Sequence, residues 1–176
     1  MIDYLPNTSI FYQRNLEFCE RVTQELKALG IGFNGSCTSF GYDIFFTVQS
    51  GSVVYNINYH KHQSTGAPVG TRTRQYVNLK AEKLITMGFL NVNGTRLFSP
   101  KLWFKSSYRL SPKHKVYANF KLDDFQKEPT LKALEKLKMI RLIKSREELE
   151  ASFWNDSLLP SEIVALFDEL IQTIAK

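Results

Sequence analysis

The chain has little cysteine, no long apolar run and, through its middle third, almost no acid. Cys19 and Cys37 are its only cysteines and form no Cys-x-x-Cys pair. That spacing excludes a zinc knuckle and a structural disulfide framework, and a reducing compartment keeps both as thiols. No apolar stretch approaches the roughly 18–20 residues that cross a bilayer. Met1 to Pro6 has neither the basic nor the apolar region of a secretory leader. The expectation is a cytoplasmic protein with no membrane partner. With 176 residues, 43% apolar and 13% aromatic, the chain is long enough to fill one core without metal or disulfide staples.

The missing acid has a definite place. The formal charge is +6, but residues 1–60 sum to −2 and residues 122–176 to −3. Residues 61–121 carry twelve Lys and Arg against Glu82 alone, a net +11. Such a segment presents a positive field to a polyanionic partner. It also holds Tyr76, Phe89, Phe98, Trp103, Phe104, Tyr108, Tyr117 and Phe120 among its cations. Cations neutralise phosphates and release counterions, and exposed rings stack on unpaired bases at roughly 1–3 kcal/mol each. Alternation along strands lets some rings fill the core while Lys105 and Arg109 face out.

Apolar periodicity supplies the elements. Phe11, Phe18, Cys19, Val22, Leu26 and Leu29 recur at helical spacing, with Asn7, Thr8 or Ser9 as the cap and Gly30 and Gly32 as stop signals. Two alternating runs, 40–49 and 52–60, predict a hairpin turning at Ser50-Gly51. Its pairs would be Val48 with Val53, Phe46 with Tyr55, Ile44 with Ile57 and Tyr42 with Tyr59 on the core face. Asp43, Phe45, Thr47, Val54, Asn56, Asn58 and His60 fall on the other. Residues 63–71 read as a Gly/Pro loop, and 73–87 as a helix with Tyr76, Leu79, Lys80, Lys83, Leu84 and Met87 on its faces. Asn93-Gly94 predicts a second hairpin between 89–92 and 95–98, and two more strands flank the loop Ser111 to His114. Leu131, Leu134, Leu137 and Ile140 suggest a helix, and Ser145 with Glu148 a capping box for a short helix after it. Ile163, Phe167, Leu170, Ile171 and Ile174 make the stripe of a C-terminal helix opened by Pro160 and Ser161. The expected architecture is one α+β domain over 1–176: an N-terminal helix on a largely antiparallel sheet, an inserted helix, and C-terminal helices.

Several constellations bear on chemistry. Residues 73–87 with the Asn93-Gly94 hairpin, and Arg96 on its wing, resemble the end of a winged helix-turn-helix, which implies DNA binding. His60 and His62, at i and i+2 of a strand, project to one face, and Asp43 on the neighbouring strand would complete a three-ligand site for a divalent metal ion. Tyr76 and Lys80 follow one helical turn apart. Together these residues resemble the HUH single-strand endonucleases. That resemblance implies metal at His60 and His62, attack on DNA by Tyr76, and Lys80 on a phosphate; Lys61 departs from it, standing where that family carries a hydrophobe. The PD-(D/E)XK nucleases share the helix-then-hairpin outline with Asp43, but Tyr59 stands where they need an acid two residues before Lys61. Metal-free ribonuclease chemistry needs only His60 or His62 as a base and Arg72 or Arg74 on the phosphorane. Thr71 to Arg74 after Gly66 and Gly70 would cradle a phosphate at a helix start, without the Gly-Lys-Ser/Thr ending of a nucleotide-hydrolysing loop.

The leading expectation is a binder of DNA or RNA through segment 61–121, with Arg72, Arg74, Lys80, Lys83, Arg96, Lys101, Lys105 and Arg109 as phosphate contacts. One alternative is a small nuclease, metal- or His-dependent, with His60, His62 and Tyr76 as its catalytic residues. The other is an inhibitor or immunity-type module whose basic face docks on an acidic or nucleic-acid-binding protein.

Overall fold

The computed structural model describes residues 1–5, 10–66, 70–82, 90–93, 106–109, 115–118, 139–144, 148–154 and 158–175. In chain order the elements are β1 (Ile2–Tyr4), α1 (Ile10–Ala28), β2 (Phe33–Thr38), β3 (Gly41–Ser50), β4 (Val53–Gly66), β5 (Gly70–Glu82), β6 (Leu90–Asn93), β7 (Ser106–Arg109), β8 (Lys115–Ala118), β9 (Met139–Lys144), β10 (Leu149–Trp154) and α2 (Pro160–Ala175). The strands form one sheet in the order β1-β2-β3-β4-β5-β10-β9-β6-β8-β7. β1 runs parallel to β2, and every other neighbouring pair is antiparallel. This is an α+β single domain, as the periodicities predict, with an N-terminal helix on a mixed but largely antiparallel sheet.

Strand alternation sorts the central strands into two faces. Tyr42, Ile44 and Phe46 of β3, Tyr55, Ile57 and Tyr59 of β4, Val77, Leu79 and Ala81 of β5, and Leu149, Ala151 and Phe153 of β10 are all buried. α1 and α2 pack on that side. α1 contributes Cys19, Val22 and Leu26, and α2 contributes Ile163, Phe167, Leu170 and Ile171. Burying a side chain such as Phe153 or Phe167 stabilises by roughly 1.5–3 kcal/mol relative to exposure. Polar anchors fix the helices over the sheet. Tyr55 and Ser50 both donate to the Asp168 carboxylate, and Tyr59 donates to the Leu158 carbonyl at 2.9 Å. Burial, then the Asp168 carboxylate, holds the Tyr55 phenol well above its ordinary pKa, so it remains a donor. The Ser161 amide donates to Glu25 Oε1 at 2.9 Å, joining the start of α2 to α1.

Four expectations change. The β3/β4 faces are as expected, but the pairs are Val48 with Tyr55, Phe46 with Ile57, Ile44 with Tyr59 and Tyr42 with Lys61. The turn is therefore Gly51-Ser52, with Gly51 at the first central position at φ +57°, where a primed hairpin turn demands positive φ. A slip of two residues preserves which side chains face the core, whereas a slip of one would invert them.

The inserted helix is a strand: 70–82 pairs along its whole length with β4. Of the loop expected over 63–71, residues 63–66 lie in β4 and 70–71 in β5, and 67–69 lie outside the described residues. Similarly, 149–154 is β10 rather than a capped helix, and Ile140 lies in β9. Finally, β6 is flanked by β8 and β9 along Leu90–Asn93, so neither edge is left for a hairpin through Asn93-Gly94. β7 and β8 pair antiparallel within the two strands expected on either side of Ser111 to His114, and 110–114 lie outside the described residues. The cap at Asn7 to Ser9 lies outside the described residues.

Candidate nucleic-acid interface

The sheet face opposite α1 and α2 carries three rows of side chains running across the strands. The first is Asp43, His60, Tyr76 and Trp154, direct neighbours on β3, β4, β5 and β10. Asp43 Oδ2 lies 3.2 Å from His60 Nδ1. The His60 and Tyr76 rings sit 4.8 Å apart between centroids, tilted by 39°. Trp154 is 41% exposed.

The second row is Phe45, Asn58, Asn78 and Ser152. Phe45 is 45% exposed, and Ser152 Oγ donates to Asn78 Oδ1 at 2.7 Å. The third is Thr47, Asn56, Lys80 and Glu150, where Thr47 Oγ1 donates to Asn56 Oδ1 at 3.0 Å.

Neighbouring strands are about 4.8 Å apart, so β3 to β10 spans roughly 14 Å. Within that width, three rings of different strands, an imidazole and side-chain amides face outward together. Rings supply flat apolar area for stacking; amides donate and accept.

The expected site residues separate into three groups. His60 and Asp43 do meet, and Tyr76 stands beside them. Its setting is a correction, because Tyr76 and Lys80 are on strand β5 rather than one helical turn apart. Four residue steps along the strand separate them by roughly 13 Å. The helical tyrosine of the HUH outline and the helix of the winged-helix outline are both absent from 70–82. His62 is exposed, opposite Gly41 on β3 and Arg74 on β5. Among the described residues no three His, Cys, Asp or Glu side chains gather as metal ligands.

Of the expected phosphate contacts, Arg74 and Arg72 pair in register with His62 and Ser64 at the far end of the β4/β5 ribbon. Arg109 pairs with Lys115 between β7 and β8. Lys80 is held by Glu82 at 3.0 Å and Glu148 at 3.1 Å, and these hydrogen bonds raise its pKa. With two carboxylates on it, Lys80 adds little free positive charge. Lys83, Arg96, Lys101 and Lys105 lie outside the described residues.

Trp154, Asn78 and Ser152 were not among the expected site residues. Trp154 belongs to a segment read as helical, and a lone tryptophan there carries no sign of the row it joins. Phe45 was placed on the outer face by alternation alone.

No protein-family model matches the chain, and no curated protein matches it. Among solved structures, it is similar to the crystal structure of the mycobacterial trehalose monomycolate transport factor A, TtfA. That similarity has a TM-score of 0.40 and 11% identity, covering 88% of this chain and 89% of that one. Among the described residues no helix is long and apolar enough to cross a membrane.

Proposed function

We propose that the protein binds single-stranded nucleic acid on the outer face of its sheet. Bases stack on Phe45, Tyr76 and Trp154, and the backbone runs toward Arg72 and Arg74. The observation that carries this reading is the gathering of those rings on the face opposite α1 and α2, beside a segment that is net +11. A sheet presenting two or three stacking rings is how several modules hold unpaired RNA, while the same area is too ring-rich and flat to follow a duplex groove. His60, fixed by Asp43, adds a fourth flat surface beside Tyr76. Asn78 and Ser152 supply polar edges next to the rings.

Titration of fluorescent single-stranded RNA, single-stranded DNA and duplex DNA over a salt series tests this reading. Neutralising about five phosphates of a single strand gives a log–log slope near −3.5, a loss of roughly a hundredfold between 50 and 200 mM salt. The expected result is tight single-strand binding with that slope and weaker duplex binding. Negligible, salt-independent binding to all three would end the proposal and direct attention to a protein partner.

A further inference from the structure

The Asp43–His60 contact gives the outer face a chemical capacity besides its rings. A carboxylate only accepts, so Asp43 Oδ2, 3.2 Å from His60 Nδ1, holds the ring hydrogen on Nδ1 and leaves Nε2 as the acceptor of the neutral imidazole. Tyr76 packs beside that imidazole, 4.8 Å away between centroids. An imidazole oriented by a carboxylate in this way is equipped to act as a general base.

His62 lies two residues further along β4 and so falls on the same face, roughly 6–7 Å along the strand. It is exposed. Gly41 stands opposite it on β3, so no β3 side chain flanks it directly, and Arg74 stands opposite it on β5. Lys61, between the two histidines, points to the core side, its ammonium 5.8 Å from the Tyr42 ring centroid, and Gln63 beyond them is buried. Among the described residues, Asp43, His60 and His62 do not gather round one point as metal ligands. Two imidazoles set apart along a strand suit a different chemistry, proton transfer at two oxygens of one phosphodiester.

We propose, resting on the single-strand reading above, that the substrate is RNA and that this face cleaves it by internal transphosphorylation. The base next to the scissile bond stacks on Tyr76. His60 Nε2 takes the proton of the 2′-hydroxyl, whose oxygen attacks the adjacent phosphorus. The P–O5′ bond breaks as the bond from the 2′-oxygen to phosphorus forms, and protonated His62 gives its proton to the departing 5′-oxygen. The products are a 2′,3′-cyclic phosphate end and a 5′-hydroxyl end, with no change of oxidation state and no water consumed. Asp43 is a positioning residue, acting through His60. DNA binds on the same rings and is not cut, because it lacks the 2′-hydroxyl.

The test incubates the full chain, in EDTA, with a fluorescent single-stranded RNA, the same sequence as DNA, and the RNA fully 2′-O-methylated. Mass spectrometry reads the fragment ends, and anisotropy reads binding of the methylated strand. The expected result is RNA fragments carrying cyclic phosphates, with DNA and methylated RNA intact. His60→Gln and His62→Gln should each slow cleavage by about a hundredfold or more, with the unfolding midpoint and the affinity for methylated RNA little changed. Asp43→Asn should lower kcat with KM unchanged, and Asp43→Glu should restore part of it. Methylated RNA that binds while the unmodified strand stays whole would overturn the proposal and leave the binding reading standing, whereas no binding at all would overturn both. Cleavage undiminished in both histidine variants, or fragments ending in a 3′-hydroxyl, would also overturn it.

Discussion

Gly41→Ala is expected to destabilise the protein by about 3–5 kcal/mol, lowering its melting temperature by roughly 10 °C or more. Gly41 opens β3 at φ +151°, and a Cβ added there would overlap the Lys61 carbonyl oxygen across the β3/β4 pair. The obstacle is backbone, so no change of rotamer relieves it. Relief requires that β3 and β4 separate, two residues from the Asp43–His60 contact.

Gly51→Ala is the matched comparison. Gly51 also has positive φ, at +57°, but an added Cβ meets nothing within 4 Å. Only the torsional cost remains, about 1–2 kcal/mol. Thermal and denaturant unfolding of the two variants separates close approach from torsion. Equal, small losses would show that the strands do not approach closely at Gly41.

The second large effect is on binding. Replacing Phe45, Tyr76 and Trp154 together by alanine should reduce affinity for single-stranded RNA or DNA by on the order of a thousandfold, since each stacked base is worth about 1–3 kcal/mol and neighbouring contributions are not fully additive. The fold should survive, because Phe45 and Trp154 project from the face opposite α1 and α2 and are 45% and 41% exposed. Circular dichroism and the unfolding midpoint check that point.

The salt dependence distinguishes this loss from a loss of charge. In the proposed complex the rings contact bases and not phosphates, so the triple variant should bind weakly with an unchanged slope. Arg72→Ala with Arg74→Ala removes two phosphate contacts and should flatten the slope by about 1.4. Anisotropy titrations of both variants over one salt series read the two effects independently. A triple variant that binds as the parent does would remove the rings from the interface.

What local pattern can and cannot carry is visible in particular strands. The β3/β4 hairpin was legible because ten residues alternate on each side of a glycine, and alternation specifies a face whichever residue begins the turn. Its register was not legible to the same degree. Moving the glycine from the second to the first turn position slips the pairs by two and changes no face.

β5 was read as a helix because Tyr76, Leu79, Lys80 and Lys83 satisfy a helical period, while Val77, Leu79 and Ala81 satisfy a strand period equally well. The long partner β4 decides between them, and that partner is a tertiary fact. β10 failed similarly, a six-residue segment whose Leu149, Ala151 and Phe153 acquire meaning only between β5 and β9. The candidate site inherits both errors. Asp43 and His60 meet because both lie on the legible hairpin. Tyr76 and Trp154 join them only after β5 and β10 are known to be strands.

The most direct test of the outer face as the binding surface is ultraviolet cross-linking to an oligouridine carrying 5-iodouridine, followed by peptide mapping. The account predicts cross-links at Phe45, His60, Tyr76 or Trp154, competed away by unlabelled single strands. Competable cross-links confined to α1 or α2, which cover the opposite face, would contradict it.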